Sequence, residues 1–214
     1  MDIADRLQAC HSAVVHDVIK DLGLPIRVLP RTIRGLDPSM EAAGPVFTVR
    51  GRPDPTLDKH TSLYEWAGLL SRAPRGHVVV CQPQDDQRAL FGGLSAEALA
   101  IKGLRGYIVD GGCRDVQAIA DQAFPVFARF NTPIDIVCAW RAEAFEVPVA
   151  IGGLQVLPDD HVLADRDGIV LIAAANLADV VAAAEKKMST EGDMARAIRA
   201  GEDPQAAYMR FRVF

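Results

Sequence analysis

FGGLSAEALAIKGLRGYIVDGGCRD, residues 91–115, is the stretch on which the fold turns. Gly92 and Gly93 break the chain, residues 95–102 carry a helix rich in alanine and leucine, Gly103 ends it, and residues 106–109 are a short apolar strand. Just upstream, residues 77–81 (HVVVC) form another buried strand, joined to the glycine pair by a loop at residues 82–87. Strand, helix and strand in this order imply two parallel strands joined by a right-handed crossover, so the fold class is α/β.

Toward the N-terminus, Ser12 is placed to cap a helix over residues 13–22, with Gly23 as a left-handed stop. Pro25, Pro30 and Pro38 break up the next segment, and residues 46–50 (VFTVR) read as a strand ended by Pro53 and Pro55. Over residues 57–73, Leu63, Trp66, Ala67 and Leu70 have the spacing of a helix laid on a core. Toward the C-terminus, residues 126–128 and 147–151 are strand-like. Residues 161–172 form a hairpin turning at Asp165-Arg166-Asp167-Gly168. Asn176 can cap a last long helix, residues 177–200, with an interruption at Gly192 and a polar tail beyond. No linker and no repeat divides the chain. The expectation is a single α/β domain over residues 1–214 with mixed strands, whose C-terminal helix (about 176–200) packs on a neighbouring subunit.

Composition bounds the function. Half of the 214 residues are apolar and 24% are charged, enough for a sizeable core and too apolar for a disordered chain. The formal net charge is −5 with no block of like charges, so nucleic acid finds no basic strip. The first ten residues hold two aspartates and no apolar run, and nowhere do ~18 uncharged apolar residues follow one another; a cytoplasmic protein with no membrane span is expected. Cys10, Cys81, Cys113 and Cys138 are scattered with no C-x-x-C pair, which suits reduced thiols in a core. His11, His16, His60, His77 and His161 lack paired ligand spacing, so zinc is not expected and they read as satisfied core or surface residues.

Two features carry chemistry. Gly92 and Gly93 lead into a helix whose first amides, at about Leu94, Ser95 and Ala96, lack intrahelical partners; they are either plain turn residues or a seat for a carboxylate or phosphate. After the strand at 107–109 come Asp110, Arg114 and Asp115, at the kind of strand edge where ligands of open α/β sheets collect. Asp110 and Asp115 are either turn and helix caps with Arg114 as their surface partner, or a site. In the second case Asp115 can hold Mg²⁺ or Mn²⁺ that keeps waters and chelates an oxo acid, and Arg114 can fork onto the keto oxygen or the enolate that follows carbon–carbon cleavage. The alternative of a Schiff-base lysine has no support, since none of Lys20, Lys59, Lys102, Lys186 and Lys187 falls in an expected buried strand.

These residues resemble a known family: the class II pyruvate aldolases of the 4-hydroxy-4-methyl-2-oxoglutarate (HMG) aldolase type, with the related RraA-like regulators of ribonuclease E. The resemblance runs over nearly the whole chain: SAVVHD at 12–17, AGPVFTV at 43–49, the loop and helix at 92–106, DGGCRD at 110–115, PVFAR at 125–129, IGGLQVLP at 151–158 and ADRDGIV at 164–170. It implies a ββα sandwich of the swivelling-domain type, assembled as a homotrimer or hexamer with active sites between subunits. It further implies that Asp115 binds Mg²⁺ or Mn²⁺, that Arg114 stabilises the pyruvate enolate, and that amides of the Gly92, Gly93, Leu94, Ser95, Ala96 segment hold the substrate carboxylate. A C-terminal glutamate from a neighbouring subunit orients metal waters in this family; Glu191 matches it best, and Asp110 joins it as a supporting residue. The implied activity is a metal-dependent lyase that cleaves a 4-hydroxy-2-oxo acid to pyruvate and a second carbonyl product, with oxaloacetate decarboxylation as related chemistry.

One departure stands out. The aldolase pattern has an acidic residue directly after the first loop glycine, where this chain has Gly93; Asp85 or Asp86 is the candidate substitute. Two rival readings follow: a non-catalytic RraA-like regulator that binds RNase E, and a lyase or hydrolase for another oxo acid, with Trp140 and Arg141 lining its pocket.

Overall fold

The computed structural model describes residues 2–214. Its helices are α1 (Ile3–Gln8), α2 (Ser12–Asp21), α3 (Lys59–Arg72), α4 (Gly93–Lys102), α5 (Val116–Asp121), α6 (Leu177–Arg199) and α7 (Pro204–Phe211). Its strands are β1 (Arg34–Gly35), β2 (Ala42–Pro53), β3 (Val78–Gln82), β4 (Gly106–Val109), β5 (Gly112–Cys113), β6 (Val126–Ala128), β7 (Phe130–Asn131), β8 (Trp140–Phe145), β9 (Val149–Ile151), β10 (Leu154–Val156), β11 (His161–Ala164) and β12 (Ile169–Ile172).

The main sheet is mixed, in the order β1-β6-β4-β3-β2-β11-β12, with β8 also paired to β2. The parallel pairs β2/β3, β3/β4 and β4/β6 are joined through α3, α4 and α5 in turn. This is the expected strand–helix–strand unit, repeated three times. The antiparallel half is the β11/β12 hairpin, whose β11 pairs with the start of β2, while β8 pairs with its end.

Both faces of the sheet are covered, which is why β3, β4 and β12 are apolar at nearly every position rather than alternating. Successive side chains still point to opposite faces. Ile169 and Leu171 enter the core shared with Trp140, Leu99 and Phe127, whereas Val170 and Ile172 enter a second one with Val15, Ile19 and Val181 of α2 and α6. No helix among the described residues is long and apolar enough to cross a membrane.

Several local expectations are corrected. Ser12 does not cap α2: it is the first helical residue, and its amide and hydroxyl donate to the Asp165 carboxylate at 2.8 and 2.6 Å. That carboxylate also accepts the amides of Asp167 and Gly168, so one side chain ties the start of α2 to the hairpin turn. On α3, the buried positions are Ser62 and Leu69, with Trp66 and Leu70 half-buried; Leu63 and Ala67 face out. The start of α3 is fixed by Asp58, which accepts from the Thr61 amide at 3.0 Å. The residue 147–151 strand is confined to Val149–Ile151, where it forms a hairpin with β10.

In α6 the ladder runs unbroken through Gly192, and the Asn176 side chain makes no capping bond because it sits in a 3₁₀ turn before the helix. The first half of α6 is seated on α2 of its own chain through Val181 and Ala184. The expected polar tail contains α7, capped by Asp203 on the amides of Gln205 and Ala206. Cys10, Cys81 and Cys113 are buried, but Cys138 is exposed. His161 is not satisfied in full, since its Nδ1 is buried without a partner among the described residues.

Candidate functional site

A cavity of about 160 Å³ opens where the chain leaves β3 and β4, between the start of α4 and the side of α3. Its polar rim is Arg114, Asp115 and Asp135; its deeper wall includes Trp66, Phe91 and Ile136.

The glycine pair sets the geometry. Gly92, in extended conformation, is the N-cap of α4, and a Cβ there would lie 2.8 Å from Asp115 Oδ2 and 3.2 Å from Arg114 Cγ. Only glycine lets these two side chains fold over the helix start. Asp115 Oδ2 accepts the Gly93 amide at 3.0 Å, a charged acceptor placed on the positive end of the helix. Its backbone is left-handed, φ 59°, a conformation that aspartate tolerates better than most residues and that accumulates at functional sites.

The free amides differ by one position from the expected set. The Ala96 amide is bonded to the Gly92 carbonyl at 3.1 Å. With Gly93 taken by Asp115, the amides of Leu94 and Ser95 remain without an acceptor among the described residues. Beside them, Trp66 Nε1 donates to Ser95 Oγ at 3.0 Å. Because that bond occupies a lone pair of the hydroxyl, the Ser95 proton is left to donate elsewhere, and the helix start offers three donors to an anion.

Arg114 and Asp115 converge as the chemistry requires. Their Nε···Oδ2 separation is 3.7 Å, and the other end of the guanidinium stands 3.4 Å from Asp135 Oδ2. All three side chains are half-exposed, so these are loose, solvent-screened pairs, and the guanidinium fork can turn to an incoming oxygen. The neighbouring Cys113 is no nucleophile: burial pushes its thiol up to about 12.

Other residues singled out in the sequence lie elsewhere. Asp110 accepts the Gly152 amide at 3.2 Å and faces Arg129 at 3.6 Å, fastening the β9–β10 turn. Glu191 is on α6, which packs on α1, α2, α7 and the β11/β12 hairpin of its own chain, none of which lines the cavity. Asp85 does not substitute for an acid at position 93: its carboxylate holds the amides of Gln87 and Arg88 and the Arg88 guanidinium at 2.7 Å. Although burial pushes Asp85 up, those donors hold it below the usual carboxylate range. Trp140 is buried with Nε1 on the Pro83 carbonyl, and Arg141 is paired with Glu65 and Asp54. The tryptophan of the cavity is Trp66, packed edge-on to Trp140, and it and Asp135 come from segments distant in the chain from the glycine pair.

For a divalent cation the chain offers one carboxylate. The second oxygen of Asp115 meets no donor among the described residues, and no three His, Cys, Asp or Glu side chains among them form a ready cage. A single open oxygen beside a donor-lined cavity fits Mg²⁺ or Mn²⁺, which keep several waters and bind through one or two carboxylates plus substrate, and does not fit zinc. Space does not dictate the glycine at 93, because a Cβ there would meet Ala118 and Asp115 Cβ at 3.4 Å, close to ordinary contact.

Comparison with known proteins bears on the same residues. A family model described as RraA-like, Aldolase/RraA, matches residues 12–171, a span that contains every cavity residue and ends before Glu191. A Halalkalibacterium halodurans protein with the name "Putative 4-hydroxy-4-methyl-2-oxoglutarate aldolase" is 29% identical over 171 residues, 79% of this chain and 78% of its own. An Albidiferax ferrireducens protein of the same name is 31% identical over 157 residues, 72% of this chain and 88% of its own. Among solved structures, Streptomyces coelicolor RraAS2, described as an unusual member of the RNase ES inhibitor RraA protein family, has a TM-score of 0.75 at 26% identity, covering 89% of this chain and 93% of that one.

Proposed function

The chain belongs to the RraA-like family, and from that premise we propose that it is a divalent-metal-dependent lyase that cleaves a 4-hydroxy-2-oxo acid to pyruvate and a second carbonyl product. The observation that carries this reading is that Arg114, Asp115 and the free amides of Leu94 and Ser95 face one cavity.

In this reading the amides of Leu94 and Ser95, with the Ser95 hydroxyl, hold the substrate carboxylate on the positive end of α4. That places the adjacent keto oxygen within reach of the Arg114 fork. When the 4-hydroxyl passes its proton to solvent water, the C3–C4 bond breaks, the C4 oxygen becomes a carbonyl, and the electron pair passes into C2=O as an enolate. Arg114 neutralises that charge, and return of the proton from water to C3 yields pyruvate. A preorganised donor of this type is worth ~2.7–4 kcal/mol of barrier. Mg²⁺ or Mn²⁺ held by Asp115 would supply a second positive charge to the same oxygen. Decarboxylation of a β-keto acid such as oxaloacetate draws on the same stabilised enolate. The matching assembly is a cytoplasmic homotrimer or hexamer in which Glu191 of a neighbouring copy approaches the site. The substrate is a small oxo acid rather than nucleic acid, in keeping with the net charge of −5.

The test is pyruvate release from a panel of 4-hydroxy-2-oxo acids. It is expected to stop with EDTA and return with Mg²⁺ or Mn²⁺, and Asp115→Ala should remove the response to metal. Turnover indifferent to chelation rejects the reading. Gly93, in place of the aldolase acid, favours a second reading, a non-catalytic regulator of RNase E. A pull-down with RNase E that survives both chelation and Asp115→Ala, in a protein that releases no pyruvate, would select it.

A further inference from the structure

Resting on the lyase reading above, we propose that the preferred substrate is a 2-oxo acid with a single carboxylate and an apolar tail, and that Asp135 disfavours substrates with a second carboxylate. The substrate's own carboxylate uses the start of α4, and its keto oxygen uses Arg114. Beyond these, the surface left for the rest of the molecule is the Leu63 and Trp66 side of α3 and the facing Ile136 and Val137.

Charge points the same way as shape. Arg114 is the one cationic side chain among the described residues lining the cavity, and it is already flanked by Asp115 on one side and Asp135 on the other. A second carboxylate on the substrate would find no cation of its own and would approach Asp135. Like-charge juxtaposition excludes a ligand more effectively than a missing contact does. An apolar tail meets neither cost and removes the indole face and the Ile136 side from water. The assignment separates this chain from an aldolase acting on 4-hydroxy-4-methyl-2-oxoglutarate, whose substrate carries a carboxylate at each end.

The experiment compares two unreactive ligands of equal chain length, 2-oxohexanoate and 2-oxoadipate, with pyruvate as the common fragment. Binding to the full-length protein is measured by calorimetry in the presence of Mg²⁺. The expected result is binding of 2-oxohexanoate ~10- to 100-fold tighter than 2-oxoadipate. Asp135→Asn should narrow that ratio by tightening 2-oxoadipate alone. Leu63→Lys, a change on an exposed position, should reverse the preference by adding a cation to the tail wall. Tighter binding of 2-oxoadipate to the unaltered protein overturns the proposal, and an unchanged ratio in Asp135→Asn overturns the role of that residue. If pyruvate and both longer acids fail to bind, the lyase reading itself is lost; if pyruvate binds and the longer pair are equal, only the tail assignment falls.

Discussion

Replacing Gly92 by alanine isolates the contribution of side-chain placement at the site from that of the fold. The backbone at Gly92, φ −157° and ψ 176°, is open to any residue, so alanine introduces no conformational strain. The added Cβ would stand 2.8 Å from Asp115 Oδ2, 3.2 Å from Arg114 Cγ and 3.3 Å from Arg114 Nε. These atoms belong to half-exposed side chains, and the clash is relieved when they swing outward. To regain ordinary contact, near ~3.5 Å, the carboxylate must retreat by roughly half an ångström or more. It then loses the 3.0 Å bond from the Gly93 amide. At a half-exposed carboxylate that bond contributes no more than ~1 kcal/mol of stability, whereas a misplacement on the order of 1 Å at a reacting centre costs about 100-fold, or ~2.7 kcal/mol of barrier. The expected outcome is a fall of about 100-fold in kcat/KM for pyruvate release, while the melting temperature moves by no more than ~4 °C. Unchanged kcat/KM in a folded Gly92→Ala protein would refute the claim that the Asp115–Arg114 arrangement over the helix start is the catalytic geometry.

Arg114→Lys should cost ~100- to 1,000-fold in kcat/KM with less than ~1 kcal/mol of stability, because the ion pairs it makes are loose but the fork is not reproducible by an ammonium; activity near the original level contradicts the enolate role. Burial pushes Asp165 up, yet the Ser12 hydroxyl and the amides of Ser12, Asp167 and Gly168 outweigh it and hold the carboxyl below the usual range. A folded value below the unfolded one contributes stability that is complete above the unfolded pKa of ~3.9 and lost as pH falls through the folded value. Urea midpoints should therefore decline below about pH 4, and Asp165→Asn should flatten that decline; parallel curves would count against the clamp. Asp160, buried and held by both ends of the Arg27 guanidinium at 2.7 and 2.5 Å, should cost ~3–5 kcal/mol when changed to alanine, read from the urea midpoint. A loss near zero would mean that Arg27 finds solvent instead.

The parts of the fold that local rules decide were readable from residues alone. Strand β3, helix α4 and strand β4 are separated by glycines, and their apolar runs differ in period, so their boundaries fall within two residues of expectation. Strand β8 is hidden from such a reading because its charged residues, Arg141 and Glu143, mask an edge strand whose buried anchor is Trp140. The buried face of α3 is ambiguous in the sequence, since Trp66 satisfies a helical spacing with Leu63 as well as with Ser62 and Leu69.

Long-range partners were out of reach in the same way. Ser12 obeys the local rule for a cap, but its partner Asp165 is 153 positions away. Within the site, Arg114, Asp115 and the glycine pair are close in sequence and were legible together. Trp66 and Asp135 reach the cavity only because α3 packs on α4 and the segment after β7 folds against the loop before α4, where the Ala89 amide donates to the Ile134 carbonyl at 2.8 Å. Nothing in the immediate sequence of either residue signals that position.

Strand β2 has a consequence for how the molecule opens. It runs from Ala42 to Pro53, with β3 along one edge and β11 followed by β8 along the other, so it is the seam between the parallel and antiparallel halves. A fluctuation that detaches the hairpin leaves β3 in place, and one that loosens β3 leaves the other edge zipped. Phe47 to Val49 are buried and lie alongside β3 in the middle of the sheet, so in heavy water their amide protons are expected to be among the last to trade for deuterium, while the termini equilibrate early.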